Sequence, residues 1–216
     1  MTITVVSMQE ANRRLNAGQV SINTTSHARD TAHLFSPFML GPVPLYDGRE
    51  ALNMENAWQY AKVYASMLEP DGSVGPKYFA WATAGWSNPR ANRYPMGKGK
   101  RPVCSYWDGE PLSYVEARKR VYFPLYRDAV LRSGGYAWLK EQADRCEELI
   151  LVDFDGYRHR DLGMSLADVL NSEKHRMGHA FVLAAMLEYG PGITPETLET
   201  GCSHIAVPEL TQTSLF

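Results

Sequence analysis

The chain predicts an α+β fold dominated by helix, a single compact domain with a few short strands. Three observations carry that expectation. Apolar residues recur at helical spacing over long stretches, above all residues 112–131 and 177–189. Extended patterns are short and few, and 149–154 (Leu-Ile-Leu-Val-Asp-Phe) is the strongest. The 216 residues, 44% hydrophobic and 21% charged, suffice for one sizeable core and contain no internal repeat.

The elements follow in order. Ser7 can cap a short helix over 8–15, closed by Gly18. Residues 20–23 read as a strand. Residues 34–45 are apolar, punctuated by proline and predicted extended, ending in an Asp47-Gly48 turn. A helix is predicted from Asn53 to just before Pro70, then a loop over 71–76 and a helix over 77–84. The Gly-, Pro- and Arg-rich stretch 88–108 predicts irregular chain. A helix over 112–131 should bend at Pro124 and break at Gly134-Gly135, with another over 136–146. After the 149–154 strand come helices over 165–170 and 177–189. Gly190-Pro191-Gly192 marks a break, and the polar tail from Thr194 is expected to be loosely attached. The organisation is therefore 1–29 as a helix and strand packed on the domain, 30–190 as the domain and 191–216 as a tail.

Composition narrows the function classes. A formal net charge of −2 gives no general attraction to nucleic acid or to an anionic membrane. Cys104, Cys146 and Cys202 are odd in number, far apart and without a C-x-x-C, so neither a disulfide framework nor a zinc knuckle is signalled. No basic segment followed by an apolar run opens the chain, and no apolar run is long enough to span a bilayer. These features predict a cytoplasmic protein with reduced thiols and no membrane partner. No cofactor and no metal are expected.

Glu55, Gln59 and Lys62 fall at i, i+4 and i+7, one face of a helix, beside an apolar stripe of Met54, Trp58, Ala61 and Ala65. A carboxylate, an amide and an ammonium so aligned can form a polar site at the edge of a core. The bland alternative is a solvated face with an ordinary Glu–Lys pairing. A second carboxylate centre is Asp153 or Asp155, at the end of the best strand in Val-Asp-Phe-Asp-Gly. Its own alternative is a pair of turn-capping residues. The loop Lys98-Gly99-Lys100-Arg101, with Arg90 and Arg93 upstream, could neutralise phosphate or be plain solvated surface. His175 and His179 have a zinc-compatible spacing, but the chain offers no H-E-x-x-H and no third ligand beyond His159.

The order Ser36-Pro37-Phe38, Asp47-Gly48, Glu55, Gln59, Lys62 resembles the opening motif of the NADAR superfamily. Pro37 stands where that family has Asn. Similar segments follow in order: 82–93, Trp107, 114–141, and His175-Arg176-Met177-Gly178 where the family closes with Asn-x-Leu-Gly. The resemblance covers roughly residues 30–190. It implies an N-glycosidase that cleaves a base from a ribose-phosphate unit, with Glu55 catalytic and an Asp after the long helices, Asp153 or Asp155, serving the site. The family's Trp-Gly after that Asp is missing here. It further implies a ligand site drawn from Ser36, Phe38, Gln59, Lys62, Arg90, Arg93, Lys100, Arg101, Trp107 and His175. Lys62 is expected to hold Glu55 ionised.

Two substrates fit such a family member: an ADP-ribosylated guanine, in DNA among other settings, and an early riboflavin-pathway intermediate. A non-catalytic ADP-ribose-binding module is the alternative class. Residues 212–216, Gln-Thr-Ser-Leu-Phe, resemble the peptide that binds the bacterial sliding clamp, with Gln212, Leu215 and Phe216 as its anchors. A tail that folds back on the domain is the other possibility. A clamp partner suits work on DNA, so the expected activity is removal of ADP-ribose from guanine in DNA.

Overall fold

Residues 148–153 carry apolar side chains at 149–152, on both faces of the chain, and such a strand needs cover on both sides. In the computed structural model, which describes residues 1–201, they form β8 (Glu148–Asp153), the central strand of the main sheet. β1 (Thr2–Ser7) and β2 (Gln19–Asn23) flank it, and both run parallel to it. The strand predicted at 20–23 is therefore present, and residues 1–29 supply two of the three strands. The helix expected over 8–15 is absent. Ser7 does accept a hydrogen bond from the Glu10 amide (3.3 Å), but the chain makes only turns there. Glu10 pairs instead with Arg158, and the preceding β-branched run extends against β8.

The fold is α+β with helix ahead of strand, 42% against 16%. α7 (His179–Tyr189) is buried from His179 through Leu187, as befits a helix that is hydrophobic all round. It packs on β1, β8 and α4 (Phe123–Arg132). α5 (Gly135–Asp144) and α6 (Leu166–Asn171) match the expected helices. α2 (Pro76–Trp86) is slightly longer than predicted. α8 (Pro195–Thr200) puts Leu198 into the main core, so this part of the tail is attached rather than loose. The proposed clamp anchors Gln212, Leu215 and Phe216 lie outside the described residues. Among the described residues no helix is long and apolar enough to cross a membrane.

Two departures shape the site. The helix expected from Asn53 to residue 69 ends early. α1 spans only Met54–Gln59, with the Asn53 side chain capping its start. Lys62 and Val63 become β5, which pairs antiparallel with β6 (Cys104–Trp107), and β6 continues into β7 (Glu110–Leu112). Ala61 and Val63 are buried on this small sheet, while Ala65, expected in the apolar stripe, is exposed. The helix expected over 112–131 is α3 (Tyr114–Ala117), one π turn (Arg118–Tyr122) and α4. Pro124 has no amide to offer the Arg120 carbonyl. Just before it the chain widens, and the Phe123 amide bonds to the Arg118 carbonyl five residues back.

The Asp47-Gly48 turn is present, with both residues left-handed (φ 54° and 67°). It joins β3 (Val43–Pro44) to β4 (Glu50–Ala51).

Candidate functional site

The carboxyl ends of β2 and β8 point the same way, and crevices beyond such ends are a frequent place for ligands in sheets covered by helices. A cleft of about 470 Å³ opens there. Its walls come from Thr25 and Ser26 after β2, Asp153 to Asp155 at the end of β8, α1, the π turn, the 93–102 loop and residues 176–179 at the start of α7.

α1 brings Glu55 to the floor, only 8% exposed. Its amide donates to the Pro37 carbonyl (2.9 Å), and the Met54 amide donates to the Leu40 carbonyl (2.8 Å). The Ser36-Pro37-Phe38 segment is thereby strapped across the first turn of the helix. Gln59 donates from Nε2 to Glu55 Oε1 (3.0 Å), and Lys62 donates from Nζ to Gln59 Oε1 (2.7 Å). Lys62 thus joins the row although it stands on a strand and not on α1. Its ammonium also lies 4.9 Å from the Trp58 ring centre. The amide separates acid from base, and no direct Glu55–Lys62 ion pair forms. Glu55 Oε2 has no protein partner among the described residues and faces the cleft.

Burial dominates both ionisable groups. It raises the Glu55 carboxyl above the usual range, and the Gln59 hydrogen bond, Lys62 and Arg93 oppose it only in part. Lys62 is lowered to about 8, again by burial first, with Glu55 pulling the other way. Lys62 thus pulls Glu55 toward its ionised form, as expected, but the net shift is upward. Desolvation outweighs an ammonium whose hydrogen bond goes to Gln59.

Asp153, 2% exposed, is committed to the scaffold. Its Oδ2 accepts from the Ala180 amide (3.0 Å) at the start of α7 and lies 3.1 Å from His179 Nδ1, and its Oδ1 accepts from the Asp155 amide (3.2 Å). The other His179 nitrogen sits 2.8 Å from Thr24 Oγ1 and 2.9 Å from the Thr24 carbonyl. His179 therefore ties β2, β8 and α7 together. Among the described residues no group of three or more His, Cys, Asp or Glu is placed to hold a metal ion. Asp155 sits higher, between Arg93 Nη2 and Arg176 Nη1, each 3.1 Å from one carboxylate oxygen. The Arg93 guanidinium is also flanked by the Phe154 ring (5.2 Å) and the Tyr94 ring (5.7 Å).

The cleft therefore gathers Ser36, Phe38, Glu55, Gln59, Lys62, Arg93, Lys100, Arg101, Asp153 and Asp155. Lys100 and Arg101 come from a loop whose Gly97 and Gly99 are left-handed (φ 94° and 86°), a conformation that favours glycine. Three expected ligand residues lie elsewhere. Arg90 is exposed, and only its backbone is engaged, the carbonyl by Asn56 Nδ2 (3.0 Å) and the amide by Asn88 Oδ1 (2.9 Å). Trp107 does not line the cleft; its ring is edge-on to Tyr46 (4.9 Å) and packed with Leu112, Ala117 and Val121. It borders a separate, shallower pocket with Arg120 and Arg127. His175 is not on a helix. Its ring packs against Tyr157 (5.4 Å), and its carbonyl accepts from Arg118.

The sequence did not single out Trp58, Tyr94, Tyr114, Arg118, Tyr122, Phe154 or Arg176, all of which line the cleft. Arg118 and Tyr122 look like ordinary members of an amphipathic helix. Their one signal was Pro124, which marks the π turn that carries them. With these residues counted, six cations (Lys62, Arg93, Lys100, Arg101, Arg118, Arg176) face three carboxylates (Glu55, Asp153, Asp155). The cleft is locally basic in a chain of net charge −2.

No protein-family model matches the chain, and no curated protein sequence matches it.

Proposed function

We propose that the protein is a NADAR-like N-glycosidase that hydrolyses the bond between a nucleobase and a ribose-phosphate unit, with ADP-ribosylated guanine in DNA as the substrate. The observation that carries this is Glu55: a desolvated carboxyl on the cleft floor, one oxygen held by Gln59 and the other facing the cavity, below a basic rim. The rim suits phosphates, and the exposed rings of Tyr94, Tyr114 and Phe154 beside it suit a base. The 212–216 peptide adds a reason to prefer DNA over a vitamin-pathway intermediate.

In the proposed reaction the C1′–N bond breaks and its electron pair leaves with the base. Water bonds to C1′ through its oxygen as Glu55 takes one of its protons, and the departing base takes up a proton in turn. A carboxyl lifted above its usual range is a better proton acceptor than an ordinary one. The Glu55 carboxylate also lies where positive charge develops on the sugar. Of the three carboxylates, Asp153 is engaged by α7 and Asp155 by two arginines, which leaves Glu55 for this role.

The test is incubation with single-stranded DNA carrying ADP-ribosylated guanine, with release of ADP-ribose as the readout. Wild-type protein should release it, and Glu55→Gln should fold normally and lose turnover by orders of magnitude. Activity in Glu55→Gln close to wild type would sink the mechanism. Binding without release by the wild type would make the protein a non-catalytic module.

A further inference from the structure

Tyr122 stands at the end of the π turn, 7% exposed, and is one of three buried phenols, with Tyr60 and Tyr64, whose hydroxyls make no hydrogen bond among the described residues. The neighbouring Tyr126 donates to the Phe35 carbonyl (2.6 Å), and Tyr78 lies within reach of three backbone carbonyls. The hydroxyls of Tyr46 and Tyr157 have no partner among the described residues and are sealed from solvent. Tyr122 and Tyr64 both line the cleft, but of the two only Tyr122 stands in the field of the Glu55 and Asp153 carboxylates, and its hydroxyl is not sealed. Its ring is fixed by Tyr126 (6.1 Å, nearly parallel) and Trp58 (5.0 Å). A buried polar group on a rigid ring, left without a bond beside a cavity, is placed for something that enters it.

The surroundings say what kind of group that is. Burial, then the Asp153 and Glu55 carboxylates, push the phenol's ionisation well above its ordinary range, so it remains a neutral donor. The exposed cations Lys100, Arg101 and Arg176 lie at the rim, whereas Tyr122 shares the floor with Glu55 and Asp153. The nearby cations are engaged, Lys62 by Gln59 and Arg118 by four backbone carbonyls, so the two carboxylates disfavour a phosphate at that depth. An uncharged oxygen is accepted there, and a sugar provides several.

We propose that the Tyr122 hydroxyl binds the substrate directly, donating a hydrogen bond to an oxygen of the sugar that lies against Glu55, an assignment that rests on reading the cleft as a ribose-phosphate site. Tyr122 is then a specificity residue for the pentose, separate from the cations that hold its phosphates.

The experiment is calorimetric titration of wild type and Tyr122→Phe with ADP-ribose and with ADP, which lacks the terminal ribose. Phenylalanine keeps the ring packing and removes only an oxygen that no protein group uses, so the melting temperature should be unchanged. Affinity for ADP-ribose should fall about tenfold, the ordinary cost of one lost buried hydrogen bond. Affinity for ADP should be unchanged. Equal affinity of both proteins for ADP-ribose would overturn the assignment, as would an equal loss for both ligands. Wild-type protein that binds neither ligand would instead overturn the reading of the cleft itself, and this assignment with it.

Discussion

Replacing Arg118 should destabilise the protein through four carbonyl groups. The side chain is 1% exposed and has no carboxylate partner among the described residues. Its Nη1 donates to the carbonyls of Val169 (2.9 Å), Leu170 (3.1 Å) and Ser172 (2.8 Å), and Nη2 to that of His175 (2.8 Å). The first two belong to the last turn of α6, where the Val169 carbonyl also accepts from the Ser172 amide (3.4 Å) and the Leu170 carbonyl relies on Arg118 alone among the described residues. A cation there also meets the negative end of the helix dipole. In Arg118→Met the Ser172 and His175 carbonyls can turn to water, because they are only partly buried. The buried Val169 carbonyl keeps the Ser172 amide, whereas the buried Leu170 carbonyl loses its donor, at about 1–3 kcal/mol. Relief from burying a charge without a carboxylate is roughly balanced by loss of the charge-assisted hydrogen bonds themselves. The net expectation is a loss of about 1–3 kcal/mol. For a domain of this size that is a fall of about 2–12 °C in melting temperature. Urea titration at neutral pH measures it, and a Met variant within about 0.5 kcal/mol of wild type would refute the view that the guanidinium organises this segment.

Three further outcomes follow from the cleft. Lys62 has a folded pKa of about 8 against an ordinary value of 10.5, so its burial costs about 3 kcal/mol below pH 8; stability should rise with pH through the 8–10.5 window as that cost is removed. Lys62→Met, which also loses the Gln59 hydrogen bond, should be more stable than wild type at pH 7 by about 1–3 kcal/mol, and the advantage should be gone above pH 10.5 in paired denaturant titrations. A methyl group at Gly178 would collide with the Asp153 carboxylate, which α7 and His179 hold in place, so Gly178→Ala should cost about 1–3 kcal/mol and lower activity; a neutral result would mean that Asp153 moves freely. A Lys100→Ala/Arg101→Ala double variant should raise KM about tenfold or more and leave kcat nearly unchanged, because phosphate contacts exist in ground and transition states alike; an unchanged KM would make the loop mere surface.

What could be read from the sequence depended on whether local pattern and tertiary pairing agreed. The 149–154 strand was legible because its apolar run has only one use. β1 was hidden by Ser7 and Glu10, which spell a helix start three residues apart, and only pairing with β8 shows that Thr2–Ser7 extends. Glu55 and Gln59 were found by helical spacing, and Lys62 by spacing that turned out not to apply, since β6 draws the chain out of the helix at Tyr60. Trp107 and His175 were placed by their order in a motif, which does not say what a ring packs against. The polar role of Tyr122 could not be read at all. It depends on a hydroxyl having no partner, which is a property of the packed molecule.

Glu55 and Lys62 together lead to a last expectation. Burial moves one carboxyl up and one amine down, so each is biased toward its neutral form in the free protein. A phosphate-bearing ligand brings negative charge to the cleft, and negative charge favours protonated Lys62. Its pKa must then rise on binding, and between the free value of about 8 and the bound value the complex must take up protons. At pH 6.5 Lys62 is already protonated and contributes almost nothing. At pH 8.5 most of the free protein has lost that proton, and the uptake should approach about half a proton or more per ADP-ribose bound. Calorimetry in two buffers of different ionisation enthalpy measures this directly. Lys62→Met should abolish the uptake at pH 8.5 while still binding ligand through the rim cations. Equal uptake in the variant would move the titrating group elsewhere, and no uptake in the wild type would mean that the phosphates do not reach the field of Lys62.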